Sequence, residues 1–293
     1  MVSLSSNKMT DTLYIIGNGF DLHHGLRTSY ANFRDDYVKK KCSILWNDLL
    51  DIYGSAPQND ILWWKDFENM LGKVDYESLS KSRNGDALGF MKVRNLMKGK
   101  LPPLFGMWIK DVNSQIDASK IELMDEVDAD SLFFTFNYTI LLEKAYQVKE
   151  ENVWHIHGTI KHPDDIVVGH DADAGQLVKY TQEYNEDQLR ISTSYADNIY
   201  QEALNGAKKV RNRIYLQEDK FYQYSNIRHY VSMGFSFNDI DMPYIEKMWS
   251  VNRQKEDADW TLYWYSSGED NLMKKKLIEL GVNEKSITTL KWE

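Results

Sequence analysis

The chain has almost no cysteine: among 293 residues there is one, Cys42. A lone thiol excludes a disulfide framework and a four-cysteine zinc site within one chain, and it fits a reducing cytoplasm. Long apolar runs are missing too, and none approaches the roughly 20 residues of a membrane span. Residues 1–10 are polar and lack the apolar stretch of a signal peptide. They read as a short disordered extension, with Met9 as an alternative start. Positive charge is in deficit: 35 Lys and Arg stand against 44 Asp and Glu, for a formal net charge of −9. That balance argues against broad binding to nucleic acid, which needs clustered cations, although it leaves room for a local basic groove. Internal repeats and low-complexity tracts are absent.

Hydrophobic residues make up 42% of the chain, enough to build a full core in one large domain or two small ones. The stretch that organises the rest is Leu13-Tyr14-Ile15-Ile16, followed by Gly17-Asn18-Gly19-Phe20-Asp21. Four apolar residues in a row predict a strand buried on both faces, as in a parallel sheet. Glycines after a strand allow a tight turn and a close approach of backbone to a ligand. Where such a turn opens a helix, free N–H groups and the helix dipole converge on a site for an anion. The dinucleotide fingerprint wants a third small residue, and Leu22 stands there instead. A tight turn without a ligand accounts for this stretch equally well.

Downstream, Ser29 or Thr28 caps a predicted helix that runs to about Asp51, with Tyr30, Phe33, Tyr37, Ile44 and Leu45 at helical spacing. Trp63, Trp64, Phe67, Met70 and Leu71 mark a second amphipathic helix. Pro102-Pro103 is expected to break the next segment before a helix over 104–116. Residues of about 30–125 therefore read as a helical insertion, whose Trp and Met stripes are core. Further strands are expected at 131–136, 153–158, 166–170, 227–234 and 260–265, with a short one at 286–290. A polar helical segment occupies about 171–225. Strands alternating with helices predict an α/β fold: a Rossmann-like, doubly wound, mostly parallel sheet forming a single domain over 11–293. Ligands of such sheets bind beyond the carboxyl ends of the strands. Gly17-Asn18-Gly19, Asn137-Tyr138-Thr139, His157-Gly158, Gly169-His170 and Gly234-Phe235-Ser236 all fall at such ends and would line one rim.

Each of these motifs has two readings. Asn137 either caps the following helix or holds a water or a ribose hydroxyl. Asp21 is either an N-cap or a ligand contact. His155 and His157 alternate and so share a face of their strand; they act as base and support, or as metal ligands with His170, Asp171 and Asp173 near in sequence. Ser236-Phe237-Asn238-Asp239 has capping-box form with Asp for Glu, and Asp239 and Asp241 sit where the helix dipole favours negative charge. Alternatively Gly234 and Ser236 expose backbone to a nucleotide.

The ordered set Gly-Asn-Gly-Phe-Asp, Phe-Asn-Tyr-Thr, His-Ile-His-Gly, Gly-His and Gly-Phe-Ser-x-x-Asp-x-Asp, over about residues 12–245, resembles the bacteriophage abortive-infection AbiH family. That family in turn resembles the sirtuin-like NAD-binding fold. Asn137 matches the Asn of the sirtuin Thr-x-Asn-x-Asp motif, His157 its catalytic His-Gly, and Gly234 and Ser236 a later Gly-x-Ser. Thr139 replaces the motif's Asp, and the zinc-binding cysteines of deacylating sirtuins are missing. The resemblance implies a phage-defence protein that hydrolyses NAD to ADP-ribose and nicotinamide, with Asn137 and His157 as the catalytic pair. It implies NAD contacts at Gly17, Asn18, Gly19, Phe20, Asp21, Thr139, Gly234, Ser236 and Asp239; no bound metal is expected, because one Cys and scattered His do not make a closed site. A phage-derived trigger and a homo-oligomer are compatible partners; membrane and nucleic acid are not expected. The alternatives are a nucleotide sensor without catalysis, a metal-dependent hydrolase or nuclease using His155, His157 and His170, and an interaction protein that uses the helical insertion.

Overall fold

The apolar run at the start of the chain becomes the centre of a sheet. In the computed structural model, which describes residues 10–74, 92–161, 166–169 and 210–292, β1 (Thr12–Ile16) is buried from Leu13 to Ile16. Five more strands join it: β2 (Leu132–Thr135), β3 (Val153–His155), β4 (His229–Met233), β5 (Asp259–Trp264) and β6 (Ile287–Lys291). Their order is β3-β2-β1-β4-β5-β6 and every pairing is parallel. This is the Rossmann-like doubly wound order, in which the winding reverses between β1 and β4. The register lines up the strand ends: Ile16 pairs with both Thr135 and Met233, and Thr135 pairs with His155. The chain therefore leaves β1, β2, β3 and β4 along one row.

Helices connect the strands. Those that bear on the site are α1 (Asn18–His23), α2 (Leu141–Ala145), α3 (Met242–Val251) and α4 (Glu269–Glu279). Right-handed crossovers put α2 on one face of the sheet and α3 and α4 on the other. On the α2 face Tyr14, Ile16, Phe133 and Met233 pack with Phe20, Leu141, Leu142, Tyr146 and Trp292. On the opposite face Tyr230 stacks on Trp260 at 4.3 Å, and Phe134 packs near Tyr224 and Tyr244. Alternate residues along each strand serve opposite faces, so a strand covered on both must be apolar throughout.

The chain divides into two compact units. One comprises Met1–Leu26, Asn113–Thr159 and Arg211–Glu293 and holds the whole sheet; the other comprises Arg27–Val112 and Ile160–Val210. Residues 113–125, expected within the helical insertion, thus belong with the sheet. In the second unit Ser29 closes a capping box with Asn32, as its residue type favours. The long helix expected from there is broken. A π turn over Arg34–Val38 and a non-helical Cys42 (φ −142°, ψ 73°) separate its parts, and Ser43–Tyr53 forms the main one. Phe33 packs on Phe105 and Trp108 at 5.3 and 5.1 Å, and Trp64 stacks on Phe67 at 5.0 Å. These aromatic residues are core.

Two further expectations fail here. Pro102 and Pro103 do not break the helix. A π turn over Asn95–Lys100 runs straight into Leu101–Gln115, and the two prolines stand just past it, where the displaced hydrogen-bond ladder accommodates residues without an N–H. The run 166–169 is not a strand. Ile166 is buried in the helical unit, with its Cδ1 3.6 Å from where a Cβ on Gly106 would stand, and short apolar runs are ambiguous between strand and other buried segments. Gly169 therefore does not close a strand on the rim. His170, Asp171, Asp173 and the helical segment up to residue 209 lie outside the described residues. Among the described residues no helix is long and apolar enough to cross a membrane.

Candidate functional site

At the winding reversal the turns after β1 and β4 touch backbone to backbone. The Gly17 N–H donates to Met233 O at 3.0 Å, the Gly19 N–H to Gly234 O at 2.9 Å, and the Phe20 N–H to Gly17 O at 2.9 Å. A Cβ on Gly17 would meet Gly234 O at 2.4 Å, and one on Gly234 would meet Phe20 N at 2.1 Å. Gly234 also has φ +65°, a conformation that side chains disfavour. The contact between the two turns is thus enough to demand glycine at these positions, and the amides of Gly17, Gly19 and Phe20 already have acceptors. Phe20 is fully buried between His24 and Tyr146, whereas Asn18 and Ser236 are exposed beside the turns.

The stretch after Gly234 does not form the expected capping box. The Asn238 side chain accepts from the Ile240 N–H, and α3 begins only at Met242, with Asp241 as N-cap and Pro243 in its first turn. Asp239 is exposed and pairs with Lys276 of α4. Phe237 holds φ +52° although it carries a side chain, which is buried.

Asp21 is not an N-cap. Gly17 takes that place, and Asp21 lies in α1 with its side chain turned inward. Asp21, Asn137, Thr139 and His157 are each no more than 5% exposed. The Thr139 Oγ1 lies 3.0 and 2.8 Å from the two carboxylate oxygens of Asp21. Burial pushes the Asp21 carboxyl up to about 7, against the pull of hydrogen bonds from Thr139 and Asn137 and of the nearby His155. A carboxyl in that range exchanges protons near neutral pH, a property found at catalytic sites.

Asn137 caps no helix. The first amide of the segment leading into α2, Ile140 N–H, is taken by Asn113 Oδ1 at 2.8 Å, and α2 has no side-chain cap. Instead Asn137 is held in the strand-end row. Its N–H donates to Thr135 Oγ1 at 3.0 Å, and its Nδ2 donates to Gly17 O at 3.1 Å. The Gly17 contact determines which way the amide is turned, and Oδ1 is left buried without a hydrogen-bond partner among the described residues.

The two histidines do not share a face. β3 ends at His155, which pairs in register with Thr135 and meets Glu143 of α2, with Nε2 to Oε1 at 3.1 Å. His157 lies two residues on, beyond the end of β3 and inside the turn. It packs against Phe136 and against Tyr244 of α3, and its Nε2 is 3.5 Å from Asp241 Oδ1. The sheet stands between α2 and α3, so the strand-period expectation fails as soon as the strand does. Glu143 and Asn113 carried no signal in the sequence, because each meets its partner only through the tertiary fold.

The structure thus gathers Gly17, Gly19, Gly234, Asp21, Asn137, Thr139, His155 and His157 at one end of the sheet. Among the described residues no group of three or more metal-ligating side chains stands together. Set against known proteins, the chain matches the family model described as bacteriophage abortive infection AbiH over residues 13–264. No curated protein matches it.

Proposed function

The chain belongs to the bacteriophage abortive-infection AbiH family, and from that premise we propose that it acts in abortive infection by cleaving NAD to ADP-ribose and nicotinamide. The observation that carries this reading is the buried Asn137 Oδ1, unpartnered among the described residues, on a side chain that reaches the β1 turn beside the winding reversal. Doubly wound folds take their ligands at this place, and a buried acceptor without a donor is costly unless a ligand or water supplies one.

In the proposed reaction the bond between the nicotinamide nitrogen and the anomeric carbon breaks. The nitrogen keeps the electron pair, and nicotinamide leaves. A water oxygen bonds to the oxocarbenium-like carbon and gives up one proton. Asn137 Oδ1 accepts a hydrogen bond from that water or from a ribose hydroxyl. His157 takes the proton, a step worth typically ~10²–10⁴-fold in rate. The Asp241 carboxylate near Nε2 stabilises the imidazolium that results. With the Gly17 and Gly19 amides engaged, the exposed Ser236 is a polar group beside the turns that can meet the diphosphate.

The test is nicotinamide release by wild type, Asn137→Ala and His157→Ala at matched folded concentration, in buffer and in phage-infected lysate. Lysate is included because a phage-derived trigger belongs to the proposal. A loss of at least ~100-fold in both variants is expected. NAD binding without release under any condition would make the protein a sensor, and undiminished release in both variants would remove these residues from the site.

A further inference from the structure

Both ring nitrogens of His155 face oxygen atoms that accept hydrogen bonds. Nδ1 is 2.9 Å from the carbonyl oxygen of Asn137, and Nε2 is 3.1 Å from Oε1 of Glu143. A neutral imidazole carries one N–H and one lone pair, and a lone pair aimed at an oxygen without a proton is repelled. The two contacts need two protons between them: with both on the ring the pair is an imidazolium beside the Glu143 carboxylate, and with one on Glu143 it is neutral. The side chains are 8% and 12% exposed, so the pair is little screened by solvent. Among the described residues, Glu143 of α2 and Asp21 of α1 are the titratable groups set against this ring.

The pair ends on Asn137. Three of that residue's four polar groups are fixed: its N–H by Thr135, its carbonyl by His155 and its Nδ2 by Gly17. The fourth, Oδ1, is buried and, among the described residues, open. Where Oδ1 points is therefore determined by the other three, and two of those are backbone groups at a strand end. A change at Glu143 reaches Oδ1 through the His155 ring and the Asn137 carbonyl.

We propose that Glu143 and His155 form a charged pair that positions Asn137, holding its Oδ1 toward a hydroxyl or water donor of the substrate. They are positioning residues: they act through Asn137 and do not touch the reacting atoms. The kinetic consequence rests on the NAD-cleavage reading, whereas the charge on the ring does not.

The experiment uses the full chain with ¹⁵N-labelled histidine rings and asparagine amides. In wild type at pH 7 both ring nitrogens of His155 are expected to carry hydrogen. In Glu143→Gln the new amide can donate to Nε2, so the ring is expected to hold a single N–H while the spacing persists. The Asn137 side-chain amide signal should move in Glu143→Gln and in His155→Gln, with melting curves reporting that both are folded. In nicotinamide release, kcat should fall ~10-fold or more with KM within about twofold, and Glu143→Asp, which keeps the charge, should recover part of it. A neutral ring in folded wild type overturns the proposal, as does an Asn137 signal that stays in place in both variants. If wild type releases no nicotinamide, the NAD reading fails, and the ring and amide signals still decide the pair in either direction.

Discussion

Thr139 stands 118 residues from Asp21 in sequence and donates its hydroxyl to the Asp21 carboxylate, 3.0 and 2.8 Å from the two oxygens. Both residues are buried at the end of the sheet. α1 turns this carboxylate inward, and a hydroxyl is a group that can satisfy it.

The first prediction concerns pH. The Asp21 carboxyl is raised from 3.8 to about 7, chiefly by burial. Between those values the folded state binds more protons than the unfolded state, so stability falls as pH rises. The stabilisation is complete below 3.8 and gone above about 7. The gap of about three pH units corresponds to roughly 4 kcal/mol. Asp21→Asn keeps an acceptor for Thr139 and has no charge to desolvate. It should flatten this slope and be the more stable protein at pH 8. Denaturant unfolding of both proteins at pH 5 and pH 8 is the check, and parallel pH profiles would refute the burial of an ionising Asp21.

Thr139→Asp is the second. It sets two buried carboxyls within hydrogen-bonding distance of each other. Like charges so placed cannot both ionise without cost. The variant should lose at least ~2 kcal/mol at pH 8 and less at pH 5, where one carboxyl holds a proton and can donate it to the other. An unaltered unfolding midpoint at pH 8 would show that the two side chains do not meet.

The third separates two kinds of glycine. Gly281 has φ +86° and open space around its Cα, so Gly281→Ala carries only conformational strain, ~1–2 kcal/mol. Gly234 has positive φ as well, but a Cβ there would lie 2.1 Å from Phe20 N and 2.4 Å from Gly19 C. Relief requires parting the β1 and β4 turns. Gly234→Ala should cost at least ~3 kcal/mol. Equal losses in the two variants, measured by thermal unfolding, would mean that the turns are not in contact.

The fourth concerns metal. Both His155 nitrogens are directed at oxygen atoms of the fold, so neither is turned toward a cation. Dialysis against a chelator should change neither the melting temperature nor nicotinamide release. Stoichiometric zinc in fresh protein, with a melting temperature that drops on chelation, would favour the metal-dependent hydrolase instead.

Much of the sheet was legible because of how parallel sheets are buried. Leu13–Ile16, Leu132–Phe134 and Leu262–Tyr263 lie in strands covered on both faces, and such strands must be apolar at consecutive positions. The run at 166–169 shows the limit of that signal: Ile-Val-Val satisfies a helical core equally well. Capping was legible where the side chain reaches its own backbone, as at Ser29 with Asn32. It failed at Ser236-Phe237-Asn238-Asp239, where Pro243 starts α3 later and Asp239 turns to Lys276.

The sequence by itself determined the strands, the glycine turns that end β1 and β4, and the family. These depend on the order of residues over short spans, where local periodicity and backbone freedom decide the outcome. Only the tertiary structure decided that the strands run in the order β3-β2-β1-β4-β5-β6, that His155 and His157 turn to opposite faces, and that Asp21 titrates near neutral pH. Strand order follows from which faces the connecting helices must cover. The ionisation of a carboxyl follows from how much water distant segments exclude and which donors they bring. Both depend on residues more than a hundred positions apart.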